Sequence, residues 1–229
     1  MLIRRRSLYD DIVHLKVGPE KIDFGIHKNL LCSASSWFKE VLTAGSAEAQ
    51  EGVIHLPDDR LNILEYFNDW LYTDSLNDPE TSKPLSTWRL LLDIYLWAGY
   101  RGVSRLQNIA VDTMRANIEP EAGFPITMVS RVYNGTPRGS KLRALVVASY
   151  SDVHGESFEK AVAYAEDSGD RSPSTTEPHP PRAFLYELIL LQKEKLDALG
   201  ADSNPLRNFD RCHFHVHPDG GTCPKTSSQ

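Results

Sequence analysis

The sequence predicts an α+β fold: a small three-stranded sheet flanked by a helical cluster, followed by an α-helical extension. Three observations predict it. Two runs of apolar residues at period two flank a Gly-Pro turn near the start. A third short apolar run, Val53-Ile54-His55-Leu56, ends at Pro57. Most of the remaining apolar residues recur at helical spacing. With 229 residues and 25.8 kDa, the chain is one large domain or a compact domain with a smaller appendage.

The elements follow in order. Val13, Leu15 and Val17 alternate with Ile12, His14 and Lys16, then Gly18-Pro19-Glu20 turns the chain. Ile22, Phe24 and Ile26 alternate again, so the pair reads as an antiparallel hairpin. Helical spacing begins after His27 with Leu30, Leu31 and Ala34. Ser35 or Ser36 caps a second helix carrying Trp37, Phe38, Val41 and Leu42. The small, polar stretch Gly45 to Gly52 reads as a loop before the third strand. Asp58 or Asp59 is placed to cap the next helix, because a carboxylate accepts orphan backbone N–H groups there. That helix presents Leu61, Leu64, Phe67 and Leu71, widened by Ile63, Tyr66 and Trp70, and ends near Thr73.

Residues 74–84 are polar and form a loop. Leu85 to Ala98 is apolar almost all round, as in a helix central to its domain, and Gly99 and Gly102 end it. Val103 to Met114 is amphipathic, with Leu106, Ile109, Ala110 and Met114 inward. A boundary is expected at Glu119-Pro120, then a helix pair, Ile126–Tyr133 and Lys141–Tyr150, joined by Asn134-Gly135-Thr136-Pro137. Those joining residues match a glycosylation sequon, but Asn-Gly here reads as a turn. Residues 166–182 are rich in Asp, Ser, Thr and Pro, so a mobile linker is expected. Phe184 to Leu199 forms a last helix, with Phe184, Leu188 and Leu191 inward and Gly200 as C-cap. Residues 1–7 read as a flexible terminus and 201–229 as a tail with a Cys/His cluster.

Composition narrows the function. Hydrophobic residues make up 41% and charged residues 24%, which excludes a fully disordered chain. No apolar run approaches the ~20 residues of a membrane span. The net charge is −6. Residues 1–118 carry 13 Lys+Arg against 16 Asp+Glu, and residues 119–229 carry 12 against 15. Neither half has the basic excess of a nucleic-acid binder; Arg4, Arg5 and Arg6 read as a solvated end. No apolar signal core follows these arginines, so an intracellular setting, cytoplasmic or nuclear, is expected, with Cys32, Cys212 and Cys223 reduced.

Five stretches also carry a family resemblance. They are Tyr9-Asp10-Asp11-Ile12-Val13, His27-Lys28-Asn29-Leu30-Leu31, Ser33-Ala34-Ser35-Ser36-Trp37-Phe38, Ile54-His55-Leu56-Pro57-Asp58 and Phe67-Asn68-Asp69-Trp70-Leu71-Tyr72-Thr73-Asp74. In this order and spacing they resemble a BTB/POZ domain over about residues 8–118. Residues 119–165 are similar in style to the helical extension of many fungal BTB proteins. The resemblance implies a protein-binding platform, a scaffold or adaptor, that forms dimers or recruits cullin ubiquitin ligases. Two departures restrain it. Few residues precede Asp10, so no strand-exchanged dimer is expected. Ala49-Gln50-Glu51 lacks the bulky hydrophobe two before a Glu that cullin-binding members show, so cullin recruitment is in doubt. No kelch or finger array follows. The residues themselves read as packing: Asp10 or Asp11 caps the start, His27 bonds a backbone carbonyl, and Trp37, Phe38, Phe67, Trp70 and Leu71 are core.

Catalytic signatures are missing: there is no Gly-x-Ser-x-Gly elbow and no phosphate-cradling Gly loop. The carboxylate pairs lie at turns or helix starts, and Cys32 reads as a small buried hydrophobe. A non-enzyme is expected. One constellation has chemical promise, the tail Cys212-His213-Phe214-His215-Val216-His217-Pro218-Asp219-Gly220-Gly221-Thr222-Cys223. His215 and His217 point the same way on an extended segment. Cys212 lies three residues before them, and Gly220-Gly221 lets the chain return Cys223. Cys212, His215, His217 and Cys223 therefore form a candidate set for one zinc, with His213 as an alternative imidazole. The opposing reading is a polar tail of solvated histidines. A second function, a transcription-linked factor using the tail, fits poorly with the acidic balance, since phosphate contacts need clustered Lys and Arg.

Overall fold

The computed structural model of the chain describes residues 8–43, 47–119, 122–150, 180–197 and 211–217. It divides into two compact units, Met1–Leu85 with Asp93–Ala110, and Ser86–Leu92 with Val111–Gln229.

The first unit is built on the sheet. Strand β1 (Ile12–Val17) pairs antiparallel with β2 (Ile22–His27), from Ile12 opposite His27 to Val17 opposite Ile22. Strand β3 (Val53–Leu56) joins β1 in parallel, giving the order β2-β1-β3. Period two puts Val13, Leu15 and Val17 into the core with Ile54 and Leu56. It leaves Ile12 56% exposed on the outer face beside His14 and Lys16. Along β2 the burial fades from Ile26 to a half-buried Phe24 and an exposed Ile22. The turn needs left-handed backbone at Gly18 (φ +69°) and Lys21 (φ +53°), and the Gly18 N–H donates to the Leu56 carbonyl at 2.9 Å.

Helices α1 (Lys28–Ala34) and α2 (Ser36–Thr43) meet at Ser35. Its hydroxyl accepts from the Phe38 N–H at 3.0 Å, which makes Ser35 the cap of α2. The expected loop at 45–52 instead contains a short helix, α3 (Ala47–Glu51), closed by Gly52 at φ +68°. Ala, Glu and Gln are strong helix formers, and small polar composition concealed that propensity.

Helix α4 (Leu61–Thr73) buries Ile63, Leu64, Phe67 and Trp70. Its N-cap is Arg60, with no side-chain capping bond, so neither Asp58 nor Asp59 plays the expected part. The face is also rotated from expectation: Leu61 is exposed, and Leu71 and Trp37 are only half-buried. A wide apolar stripe leaves the centre of its face undetermined within one residue, and the neighbours choose it. Asp74 ends α4 in the left-handed region (φ +59°).

Helix α5 (Trp88–Tyr100) starts three residues later than the apolar run, whose first member Leu85 is buried ahead of the helix. The helix runs through Gly99, where a Cβ would stand 2.4 Å from Gln107 Nε2, and ends at Tyr100, with Gly102 (φ +64°) in the turn that follows. Helix α6 (Ser104–Ala116) buries Leu106, Ala110, Val111 and Met114, while Ile109 is half-buried.

In the second unit, α7 (Ile126–Gly135) and α8 (Lys141–Tyr150) form the expected pair. Nearly all of α8 is buried, including Arg143. The Arg143 guanidinium donates to Thr136 Oγ1 at 3.0 Å, to the Tyr133 carbonyl at 2.7 Å and to the Thr136 carbonyl, which satisfies the charge with backbone dipoles. Helix α9 (Arg182–Asp197) buries Phe184 against the rings of Tyr133 and Tyr150, whereas Leu188 and Leu191 are half-buried. Residues 1–7 and most of the expected linker 166–182 lie outside the described residues, as does Gly200. Among the described residues no helix is long and apolar enough to cross a membrane.

Candidate functional site

Two places concentrate polar chemistry. In the first unit, sequence stretches far apart meet around His27. The Tyr72 hydroxyl lies 2.8 Å from His27 Nδ1 and accepts from the His27 backbone N–H at 3.3 Å. Tyr9 sets its ring edge-on to His27 at 5.0 Å, and the Lys28 N–H donates to the Asp11 carbonyl at 2.7 Å. His27 is therefore structural, as expected, but its partner is a tyrosine hydroxyl 45 residues away rather than a backbone carbonyl. Tyr9, Ile12 and Tyr72 stay 44–56% exposed around it.

In the same unit, Arg101 ties three segments together. Its guanidinium donates to Asp59 Oδ2 at 2.7 Å, with both side chains only 9% exposed. It also lies over the Trp37 ring at 4.2 Å. The Arg101 carbonyl accepts from the Ser35 hydroxyl at 2.5 Å, and the Gly102 carbonyl from the Ser36 N–H at 3.2 Å. Asp59 is thus an ion-pair partner, not a helix cap. A Cβ on Gly102 would come 2.2 Å from Ser36 Oγ, so glycine is required at this crossing.

On the outer hairpin face, Asp23 accepts from Lys16 at 2.9 Å and contacts His14 Nδ1 at 3.0 Å. These bonds, Lys16 foremost, hold its carboxyl below the ordinary value of 3.8. Cys32 is half-buried rather than buried, and desolvation pushes its thiol up from 9.0.

In the second unit, the segment 211–217 is a single 3₁₀ turn, Arg211–Phe214, followed by an extended stretch. Phe214 is 1% exposed, with the Arg115 guanidinium 5.6 Å from its ring, and His215 is 4% exposed. A solvated tail does not fit that burial. Of the candidate ligands, Cys212 Sγ and His217 Nε2 come together at 2.9 Å. The His215 ring centroid is 6.1 Å from that of His217, and His215 Nε2 bonds Asp112 Oδ1 of α6 at 2.7 Å. His213 packs edge-on to Phe214, and burial, then Lys141, lowers its pKa below 6.5. Cys223 lies outside the described residues. Among the described residues no three ligand-type side chains converge on one point.

Comparison with known proteins bears on the N-terminal part of the chain. The family model of the BTB/POZ domain matches residues 4–95. Those residues form a BTB/POZ domain. The chain is 21% identical over 152 residues to the Kelch-like ECH-associated protein 1A of Danio rerio, covering 66% of this chain and 24% of that protein. It therefore spans about a quarter of that relative's length. A solved structure, the BTB (Tramtrack and Bric a brac) domain of human gigaxonin, is similar at 15% identity with a TM-score of 0.34, covering 48% of this chain and 79% of that one.

Within the BTB/POZ domain the recognised stretches are contacts as much as motifs. Tyr9, His27 and Tyr72 come from three of them, and Phe38, from a fourth, stacks at 6.1 Å on Phe67, which shares its stretch with Tyr72. Sequence reading missed Arg101 and Asp112. Arg101 follows the apolar run of α5, where a charge reads as solvated. Asp112 reads as the polar face of α6; only a buried histidine presented to it reveals its use.

Proposed function

We propose that the chain is a non-catalytic protein-binding platform of the BTB/POZ type, a scaffold or adaptor working in an intracellular setting, with residues 8–118 as the platform. The observation that supports it is the BTB/POZ match over residues 4–95, a domain type that generally binds proteins. The use of its residues agrees. Motif side chains pack or hydrogen-bond one another, while Tyr9, Ile12 and Tyr72 are left exposed where a partner can cover them. The net charge of −6 favours a protein partner over nucleic acid.

The resemblance implies two partner classes, a second copy of the chain and a cullin. The short α3 carries Ala49-Gln50-Glu51 where cullin-binding members place a bulky hydrophobe, which favours the first or a different protein. Ile12→Arg tests the platform, because Ile12 is 56% exposed and its replacement spares the core. Light scattering across a concentration series measures self-association, and calorimetry with a purified cullin N-terminal domain measures the other arm. Association by the wild-type chain, weakened at least tenfold in a normally melting Ile12→Arg variant, is the expected result. A wild-type chain that neither self-associates nor binds any purified partner better than the variant does refutes it.

A further inference from the structure

We propose that the outward face of α9 is an interface for a second copy of this chain, with the two helices antiparallel about a two-fold axis. Helix α9 uses one side on its own unit. Phe184 is buried against Tyr133 and Tyr150, Leu188 and Leu191 are half-buried, and Glu187 accepts from the Tyr133 hydroxyl at 2.5 Å. The other side is apolar as well. Leu185, Tyr186, Ile189 and Leu190 share one continuous face at helical spacing, and they stay 37%, 64%, 66% and 42% exposed. A helix apolar on both sides belongs in an interior. Together the four residues leave on the order of 400 Å² of surface open, the size of a patch that commonly serves a partner.

The charges at the two ends of this face select the occupant. Arg182 and Glu194 are both exposed, and no ion pair among the described residues engages either. Each stands at the helix end that disfavours its sign, the cation in the first turn and the carboxylate in the last. The point midway between them is Leu188, and the four apolar residues centre between Glu187 and Leu188. A two-fold axis through the patch therefore sets each Arg182 level with the copy's Glu194, about 9 Å along the helix from the axis. At the shallow ~20° crossing of paired helices, both side chains stay within reach of one another. A parallel pair would face Arg182 with Arg182 and Glu194 with Glu194, so the charges require the antiparallel arrangement. A second copy presents this reciprocal match by construction, because a two-fold contact makes every pairing twice. The open area is below the ~800 Å² per partner of a standard interface, so the pairing is weak and concentration-dependent. The surface belongs to the second unit and does not depend on the platform reading.

The experiment is sedimentation velocity of the full chain over a concentration series, run in the Ile12→Arg background so that association through the platform does not contribute. A dimer should form and dissociate on dilution. Ile189→Glu, at an exposed site, should weaken it about tenfold or more with unchanged melting. Arg182→Glu and Glu194→Arg should each weaken it roughly threefold or more, because two attractive pairs become repulsive. The double swap should return it to within about twofold of the parent. The two single-swap variants, mixed, should pair with each other better than with themselves. A chain that stays monomeric up to ~1 mM overturns the proposal, as does a dimer indifferent to Ile189→Glu. A dimer lost in Ile189→Glu but unchanged by either charge swap overturns the antiparallel register. Co-sedimentation of a monomeric chain with phosphatidylserine vesicles, abolished by Ile189→Glu, gives the face to a membrane surface and overturns the second copy. The platform reading is tested at Ile12 and this one at Ile189, so the two failures are distinguishable.

Discussion

Arg101 offers the sharpest test of how the first unit is held. Arg101→Met keeps most of the side-chain volume and removes the charge. Asp59 is then left 9% exposed with its ion-pair partner gone. Breaking a buried pair from one side costs ~3–5 kcal/mol, because the remaining charge is stranded. Loss of the contact over Trp37, 4.2 Å from the guanidinium, adds to this. Against a usual total of ~5–15 kcal/mol the loss is large, and at ~1–3 kcal/mol per molar urea it moves the midpoint by roughly 1–5 M. Asp59→Asn separates the two readings of Asp59. A helix cap tolerates Asp→Asn almost freely and is indifferent to Arg101. A buried partner does not, and Arg101→Met/Asp59→Asn should recover much of the single-variant loss, since no charge is then stranded. Urea unfolding of the full chain, followed by tryptophan fluorescence and circular dichroism, measures all four corners of the cycle. A loss below about 1 kcal/mol in Arg101→Met, or strict additivity with Asp59→Asn, refutes the reasoning. The same argument says that a chain stopped at residue 95, where the family match ends, lacks Arg101 and Gly102 and should not fold stably.

Further outcomes follow from particular residues. Phe67→Ala, at a 0% exposed site, should cost ~3–5 kcal/mol in the same assay, whereas Leu71→Asp at a half-buried position should leave a folded, weakened protein rather than unfold it; equal losses would contradict the placement of the α4 face. The Asp23 carboxyl, followed by NMR, should titrate below 3.8. Its folded pKa is depressed, so its contribution is present above the unfolded value and lost as pH falls through the folded one, and Lys16→Met should move the titration back up. Desolvation first, then the 2.5 Å bond to Glu187, raises Tyr133, and desolvation raises Tyr150. Both favour the neutral phenol, so the stabilisation they carry is complete below the unfolded value near 10 and fades as pH rises through their folded values. Tyrosinate absorbance should show these two ionising only with unfolding. Limited proteolysis should cut first within residues 166–182, on composition alone; early cleavage inside α4–α6 instead would count against that.

What the sequence determined by itself is the set of elements and their order. Period-two runs around Gly18-Pro19 force a hairpin, because only one face of each strand can be buried. The apolar girth of α5 requires a central helix. Five local stretches suffice for the family, since each is short and contiguous. What the tertiary structure decided are the choices that local chemistry leaves balanced. Asp59 can cap a helix or pair with a cation with similar local cost; Arg101, 42 residues away, tips it toward the ion pair. Trp70 and Leu71 are neighbours on α4, and the shape of the surroundings buries Trp70 and leaves Leu71 half-buried. His27 needs a hydrogen-bonding partner, but only the fold supplies Tyr72. The tail shows the same division. Its spacing of Cys and His is written in the chain, while the carboxylate that orients His215 comes from α6, 103 residues earlier. Periodicity and propensity act over a few residues and are readable locally. A buried polar group must be satisfied by whatever packing brings within 3 Å, and that is a property of the folded chain.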